Sequence, residues 1–260
     1  MEIRILCENL ATGMVWQAEW GFSALIGYGD QTILFDTGFS DIWQRNAAIA
    51  EIDLDTVNMI ALSHFHRDHT RGLLHHQVTD RKRLILHPRI LTAVLDTDDK
   101  TIHADYARIH QVLSDDFDIQ TETTATQMMP GAWFLGEIPR VTPFERGAFF
   151  DDPMPDDTAL AFEIPTGVVI VSGCAHAGIC NICNICEHAM AVTGLPLRAV
   201  IGGFHLMAAE DPPIEATIDY FRRMAPELLL PMHCVEFEYM AAFHAALGTP
   251  HVGAGEVIPL

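Results

Sequence analysis

A short loop after an apolar run constrains this chain more than any other feature. The run 57–62 has the composition of a buried strand, and Ser63-His64-Phe65-His66-Arg67-Asp68-His69 follow it. In an extended backbone, residues two apart point the same way, so His64 and His66 would present both rings to one point. Asp68 and His69 come next and can turn back towards that point.

These residue types favour a metal site over a simple turn. Imidazole and carboxylate together are ligands that suit zinc, iron or manganese. Three histidines and one aspartate within six residues would be a poor choice for a hydrophobic core. The plainer interpretation is a solvated, histidine-rich turn. We favour a metal site at the end of a strand.

The segment His64-Phe65-His66-Arg67-Asp68-His69 resembles the signature of the metallo-β-lactamase superfamily. That resemblance implies an α/β fold, a four-layer αββα sandwich with mixed sheets, and a site for one or two metals at the edge of the sheets. We expect residues 1–260 to form a single domain of this kind. An insertion around 96–157 would shape the pocket, by analogy with the superfamily.

Composition limits the partners. The chain has 260 residues and a formal net charge of −20, with only 15 basic residues. Such a chain cannot easily form the positive face that nucleic-acid binding needs. No apolar run approaches the ~18 residues of a membrane span, and the start, Met1-Glu2-Ile3-Arg4, does not resemble a signal peptide. We therefore expect a cytoplasmic protein with a small-molecule substrate, no nucleic-acid partner and no membrane association. The oligomeric state stays open.

Hydrophobic patterning predicts two halves, each rich in strands and then in helices, packed sheet on sheet. Strands are expected at 2–7, 21–27, 31–36, 57–62, 83–87, twice within 121–142, and at 159–164, 168–172, 198–202 and 227–230. Helices are expected at 40–50, from Pro88 to about 95, and at 179–192, 214–224 and 235–247. The acidic, proline-punctuated stretch 151–157 is expected to be an irregular loop or lid between the halves.

Three more histidines follow predicted strands in the second half: His176, His205 and His233. Functional groups of layered α/β folds gather at one edge, where strands stop and loops begin. Any one of the three could instead be a capping or hydrogen-bonded histidine. We expect the three together to complete the metal site.

Several segments narrow the resemblance to one subfamily, named after 7,8-dihydropterin-6-methyl-4-(β-D-ribofuranosyl)aminobenzene-5′-phosphate synthase. They are Gly136-Glu137-Ile138-Pro139-Arg140, the stretch 151–157, Ser172-Gly173-Cys174-Ala175-His176-Ala177-Gly178-Ile179, Gly202-Gly203-Phe204-His205-Leu206 and Pro231-Met232-His233-Cys234.

The resemblance also implies roles for residues. His64, His66 and His176 would hold a first metal, and Asp68, His69 and His233 a second. His205 would be a further ligand or a proton donor, and Asp68 could also act as a base. Asp36-Thr37-Gly38 resembles the first superfamily motif, in which the aspartate orients the ligands, although a simple turn is the alternative.

Cys174 is a departure from the superfamily pattern. Two-metal members usually place a bridging aspartate where this chain has Cys174. A thiolate there could be a ligand, but we favour His176, two residues further on. Without the bridging carboxylate, a tightly coupled pair of metals is less expected.

Cys180, Cys183 and Cys186 are spaced by three within a predicted helix. Reduced thiols are expected, since the start of the chain does not resemble a secretion signal. Cysteines on one helix face are more often buried apolar residues than ligands. The alternative is an iron–sulfur or zinc site that includes Cys234 or Cys7.

Together these features predict a metal-dependent hydrolase, or a related transferase, that uses metal-activated water on a small pterin-like or phosphorylated molecule. We expect one or two divalent ions, with zinc first and manganese or iron as alternatives. The other hypotheses are an iron-based redox protein and a non-catalytic ligand binder on the same scaffold.

Overall fold

The computed structural model describes residues 1–77, 80–145, 149, 151–190, 194–207 and 213–260, without the side chains of 186–190. Its contacts divide the chain into two compact units. The first unit is Met1–Thr123 together with Val252–Leu260, and the second is Thr124–His251. The interpretation of 1–260 as one domain, with an insertion at 96–157, stays a prediction.

The first unit holds a mixed sheet of seven described strands in the order β13-β1-β2-β3-β4-β5-β6. Its strands are β1 (Glu2–Cys7), β2 (Ser23–Tyr28), β3 (Gln31–Phe35), β4 (Met59–Ala61), β5 (Lys82–Leu86), β6 (Phe117–Thr121) and β13 (Val257–Pro259). Strands β3 to β6 run parallel, whereas β13, β1, β2 and β3 pair antiparallel. Parallel strands place their carboxyl ends at one edge, and the loop 63–69 leaves β4 there.

The helices of the first unit are α1 (Ile42–Ile49), α2 (Arg67–Thr70) and α3 (Lys100–Asp116), with 3₁₀ turns at Leu54–Thr56, Arg71–His75 and Pro88–Leu91. The helix predicted from Pro88 to about 95 was wrong. Only a 3₁₀ turn forms there, because Thr92 leaves the helical region with φ −138°. Helix α3 lies within the segment expected to be an insertion, 96–157, and it begins where Asp99 accepts a hydrogen bond from the Thr101 N–H.

The second unit holds a mixed sheet of six described strands in the order β12-β11-β10-β9-β8-β7. The strands are β7 (Thr126–Met129), β8 (Ala132–Phe134), β9 (Ala159–Ile164), β10 (Gly167–Ser172), β11 (Leu197–Gly203) and β12 (Leu228–Met232). The helices are α4 (Ile179–Met190), α5 (Ile214–Met224) and α6 (Phe237–Leu247). Strand β10 is buried along its whole length, as its β-branched sequence predicts.

An aromatic cluster anchors the end of β11 in the second unit. The Phe204 ring stacks on Phe221 of α5 at 5.7 Å and meets Phe243 of α6 edge-on at 6.0 Å. All three side chains are buried. Because Phe204 directly precedes His205, this packing fixes the backbone that carries the histidine.

The acidic stretch 151–157 is irregular, as expected, but part of it is not a solvated loop. Asp156 and Asp157 are fully buried. The Arg140 guanidinium donates to the Pro153 carbonyl at 2.5 Å and to the Met154 carbonyl at 3.1 Å. The end of the stretch is therefore held inside the second unit. No helix in the described parts of the chain is long and apolar enough to cross a bilayer.

Candidate metal-binding site

The loop 63–69, called here the metal loop, brings its four predicted ligands together within the first unit. His64 Nε2 lies 3.1 Å from His66 Nδ1. The His64 and His69 rings are 4.2 Å apart between centroids. Asp68 Oδ2 lies 3.7 Å from His69 Nε2. These donors are close enough to share metal ions.

Asp36 lies at the centre of the hydrogen bonds that support the metal loop. Its buried carboxylate accepts the Ser63 N–H at Oδ1 (2.8 Å) and the His69 Nδ1–H at Oδ2 (2.7 Å). With Nδ1 donating to a carboxylate, Nε2 of His69 is left as an acceptor, which is the form a metal needs. Asp36 thus has the orienting role that the superfamily resemblance implies.

Ser63 extends this control to a second histidine. Its hydroxyl donates to Asp36 Oδ2 at 2.7 Å and lies 2.8 Å from His64 Nδ1, from whose N–H it can accept a hydrogen bond. One carboxylate therefore orients His69 directly and His64 through a serine. This role of Ser63 was not predicted, because its only signal in the sequence is a serine between a buried strand and the first histidine.

The backbone of the metal loop is also fixed. The His69 carbonyl accepts from the Thr37 N–H at 2.8 Å and from the Thr37 hydroxyl at 3.0 Å. A Cβ on Gly72 would lie 1.9 Å from the Thr37 carbonyl oxygen, so only glycine allows this approach. Asp36-Thr37-Gly38 therefore holds the metal loop at Ser63 and at His69.

Helix α3 reaches the metal loop through Asp105. The Asp105 carboxylate accepts from Arg67 Nη1 and from Arg71 Nε, each at 2.8 Å. Burial alone would raise the pKa of Asp105, but the two arginines lower it below its usual value. The long helix therefore supports the loop through Arg67, the neighbour of His66 and Asp68.

In the second unit, three neighbouring parallel strands each end near a cysteine or a histidine. Cys174 follows β10, His205 follows β11 and Cys234 follows β12, each two residues beyond the last strand residue. Their ligand atoms all lie within 4.8 Å of one another. We call these three residues the strand-end cluster.

Two predicted ligands lie beside the strand-end cluster. The His176 ring is 4.0 Å from the His205 ring between centroids. The Phe149 ring, which the sequence analysis did not single out, lies 5.3 Å from His176 and 6.0 Å from His205. His233 directly precedes Cys234. Each predicted ligand of the second unit therefore lies just beyond a strand end, as expected.

Unusual backbone conformations occur at these same positions. Ala175, His205 and His233 have φ of 61°, 49° and 52°, and Asp36 in the first unit has 58°. L-residues with side chains rarely adopt this region, and such strain is concentrated at functional sites. It occurs here beside Cys174, at His205, beside Cys234 and at the residue that orients the metal loop.

Buried carboxylates fix the turn after Cys174. Asp157 Oδ2 accepts from the Ala177 N–H at 2.9 Å, and burial raises the pKa of Asp157 to about 7. Glu145 accepts from the Cys180 and Asn181 N–H groups at 2.9 and 2.8 Å, at the start of α4. Burial raises the pKa of Glu145 as well. Neither contact was predicted from the sequence.

The described cysteines fall into two chemical groups. Cys180 and Cys183 are buried in the apolar core of the second unit, as predicted, and the side chain of Cys186 lies outside the described residues. Burial raises the pKa of Cys180 and of Cys7, so these are neutral thiols. Burial also acts to raise the pKa of Cys234, but contacts with Cys174 and His205 and the charges of His233 and His205 lower it well below its usual value.

Sequence comparison relates the chain to known proteins. The family model described as the metallo-beta-lactamase superfamily matches residues 21–225. The chain is 28% identical over 253 residues to the 7,8-dihydropterin-6-methyl-4-(beta-D-ribofuranosyl)-aminobenzene-5′-phosphate synthase of Methanocaldococcus jannaschii, covering 85% of this chain and 82% of that protein. It is 29% identical over 248 residues to the uncharacterized protein MJ0448 of the same organism, covering 91% of each.

Two solved structures also resemble this chain. Tm1679, a metal-dependent hydrolase of the beta-lactamase superfamily, matches with a TM-score of 0.80 and 25% identity, over 100% of this chain and 99% of that chain. Zn²⁺-bound PqqB from Methylobacterium extorquens shares the fold with a TM-score of 0.62 and 14% identity, over 100% of both chains. The predicted α/β fold class with mixed sheets is confirmed.

Proposed function

Because this chain belongs to the metallo-β-lactamase superfamily, we propose that it is a metal-dependent hydrolase acting on a small molecule. One observation carries the proposal. His64, His66, Asp68 and His69 lie together, and Asp36 orients His69 directly and His64 through Ser63. Such carboxylate support is a usual accompaniment of metal-binding histidines.

The donor set fits a divalent metal. Imidazole nitrogens with one carboxylate suit zinc first, and manganese or iron next. The assignment of His64, His66 and His176 to one ion, and of Asp68, His69 and His233 to another, stays a prediction. When bound, such an ion supplies a Lewis acid that activates water and polarises a substrate oxygen.

The protein's own groups would position and move protons. The Asp68 side chain is 20% exposed, and its carboxylate would accept a proton from an attacking water. His205 is partly buried, and its predicted role as a further ligand or as the donor to the leaving group stays open. Ser63 and Asp36 keep the protons of His64 and His69 on Nδ1.

We propose a phosphorylated or pterin-like substrate. The support is the 28% identical relative, which is named as the synthase of a dihydropterin phosphate. That relative is a synthase, so a transferase on the same scaffold is the second candidate function. The net charge of −20 favours a small molecule over a nucleic acid, since a polyanion would meet general repulsion.

The test measures metal and hydrolysis in matched variants. Purified wild type, His64→Ala, His66→Ala and the exposed-surface control His103→Ala are compared by elemental analysis and by activity on phosphomonoesters, phosphodiesters, lactones and reduced pterin phosphates. We expect zinc and activity in the wild type and the control, and loss of activity together with a lower zinc content in the metal-loop variants.

The opposite results have clear meanings. Metal content that is unchanged in His64→Ala and His66→Ala would refute the proposed metal site. A stoichiometric metal with turnover only when a second substrate is present would favour the transferase. A visible iron band with redox activity and no hydrolysis would overturn the proposed function.

A further inference from the structure

The strand-end cluster has a geometry that belongs to the second unit alone. Strands β10, β11 and β12 are adjacent and parallel, so their carboxyl ends meet at one edge. The pairing continues past β11 and β12, because the Leu206 N–H donates to the Cys234 carbonyl at 2.9 Å. Cys174, His205 and Cys234 are therefore held by the sheet itself.

Gly203 makes room for the two cysteines. A Cβ at this position would lie 2.2 Å from the Gly173 carbonyl oxygen, 2.8 Å from Cys234 Sγ and 2.9 Å from the Cys174 Cα. The Gly203 N–H donates to the Gly173 carbonyl at 3.0 Å. The central strand thus ends in a residue without a side chain, where two thiols from the flanking strands converge.

The surroundings of Cys234 differ from those of a core cysteine. Its sulfur accepts a hydrogen bond from the His205 N–H at 3.2 Å and lies 3.4 Å from the Cys174 carbonyl oxygen. Cys180 and Cys183, in contrast, belong to the hydrophobic core cluster of the second unit. Two thiols and one imidazole within 4.8 Å form a donor set for thiophilic ions.

We propose that Cys174, His205 and Cys234 form a metal site of their own, which binds a thiophilic divalent ion of the zinc class. All three ligands come from one unit, so this site does not need the metal loop. Three protein ligands leave the fourth position of a tetrahedral ion for water or a substrate atom, as in open zinc sites. Of the two roles predicted for His205, metal ligand or proton donor, this proposal assigns the role of ligand.

The experiment uses the full-length, metal-free protein and Co²⁺ as the probe. Cobalt bound by thiolate gives a near-ultraviolet charge-transfer band, whereas cobalt bound by histidine and carboxylate does not. We expect the wild type to show this band. Cys174→Ser and Cys234→Ser should each lose half of its intensity or more, and His205→Ala should bind cobalt at least about tenfold more weakly.

Two controls separate this proposal from the proposed function. Cys183→Ser removes a buried cysteine of α4 and should keep the full band. A His64→Ala/His66→Ala variant should lose metal-loop cobalt and activity but keep the band. Circular dichroism confirms that each variant is folded, and a variant that fails this check is replaced by Cys→Ala at the same position.

Three results would overturn the proposal. The first is a band that is unchanged in both Cys174→Ser and Cys234→Ser. The second is a band that disappears with the metal-loop histidines, which would assign the thiolate to the metal loop's ion. The third is a Cys174–Cys234 disulfide in freshly purified protein that persists under reducing conditions and prevents cobalt binding.

Discussion

At the scale of single residues, Ser63 explains how one aspartate controls two ligands. A serine hydroxyl donates one hydrogen bond and accepts others, so it can transmit the preference of Asp36 to His64. Without it, the His64 ring could rotate, and either nitrogen could carry the proton. The position of one hydroxyl thus decides which nitrogen of His64 would face the proposed metal.

We predict that Ser63→Ala weakens zinc binding by about 10- to 100-fold, the usual cost of losing a supporting contact to a metal-binding histidine. Competition with a chromophoric chelator measures the affinity. Ser114→Ala, an exposed serine of α3, is the matched control and should bind zinc like the wild type. Equal affinities in both variants would remove Ser63 from the positioning network.

At the scale of secondary-structure elements, the ends of strands and helices carry the chemistry. Strand β11 ends in a glycine because two neighbouring loops occupy the space of its side chain. Helix α4 begins where Glu145, from a distant segment, accepts its first free N–H groups. The close packing at the end of β11 and the Glu145 hydrogen bonds fix the backbone on either side of His176.

We predict that Gly203→Ala destabilises the protein by about 1–3 kcal/mol, the range typical of overpacking. The reason is the contact of the new Cβ with the Gly173 carbonyl and Cys234 Sγ. Gly27→Ala is the control, since its Cβ would meet only the Glu2 carbonyl at an ordinary 3.8 Å. Urea unfolding measures both variants, and equal midpoints would contradict the prediction.

The raised pKa of Glu145 predicts a pH effect with a defined sign. The folded protein holds this proton more tightly than the unfolded chain, so the protonated group stabilises the fold. This stability is present below the ordinary glutamate pKa and is lost as pH rises through the raised value. We expect the free energy of unfolding to fall with rising pH more steeply in the wild type than in Glu145→Gln. Parallel pH profiles would be the contrary result.

At the scale of the whole molecule, metal binding and folding are linked. The unfolded chain cannot hold its ligands in one place, so an ion that binds the folded protein adds to its stability. The metal loop belongs to the first unit and the strand-end cluster to the second, so each unit carries a proposed site. We therefore expect the metal to govern global stability as well as activity.

We predict that removing metal with a chelator lowers the thermal midpoint and that excess zinc restores it. At a free zinc concentration of 100 times Kd the gain would be about 2.7 kcal/mol. Magnesium is the control and should restore little, because it prefers all-oxygen ligands. A chelated protein with the midpoint of the untreated protein would show that metal does not contribute to folding stability.

Local patterns in the sequence predicted many of the strands and the positions of the candidate site residues. The metal loop could be predicted as a candidate site because its proposed ligands are neighbours in the chain. The strands could be identified because buried β-branched runs have a plain composition, and β10 is one of them. The strand-end histidines followed from the same logic, since a histidine after a strand lies at an edge of a sheet. The helix predicted after Pro88 was wrong because the backbone leaves the helical region at Thr92, after a single 3₁₀ turn.

The tertiary structure alone decided which distant residues meet. Asp36 and Ser63 are separated by 27 positions, and Cys174 and Cys234 by 60. Sheet order brings such residues together, and no local periodicity encodes that order. The same is true of Glu145, which begins a helix that starts 34 residues later at Ile179. The sequence determined which chemistry the chain carries, and the packing of strands determined which side chains can act on one ion.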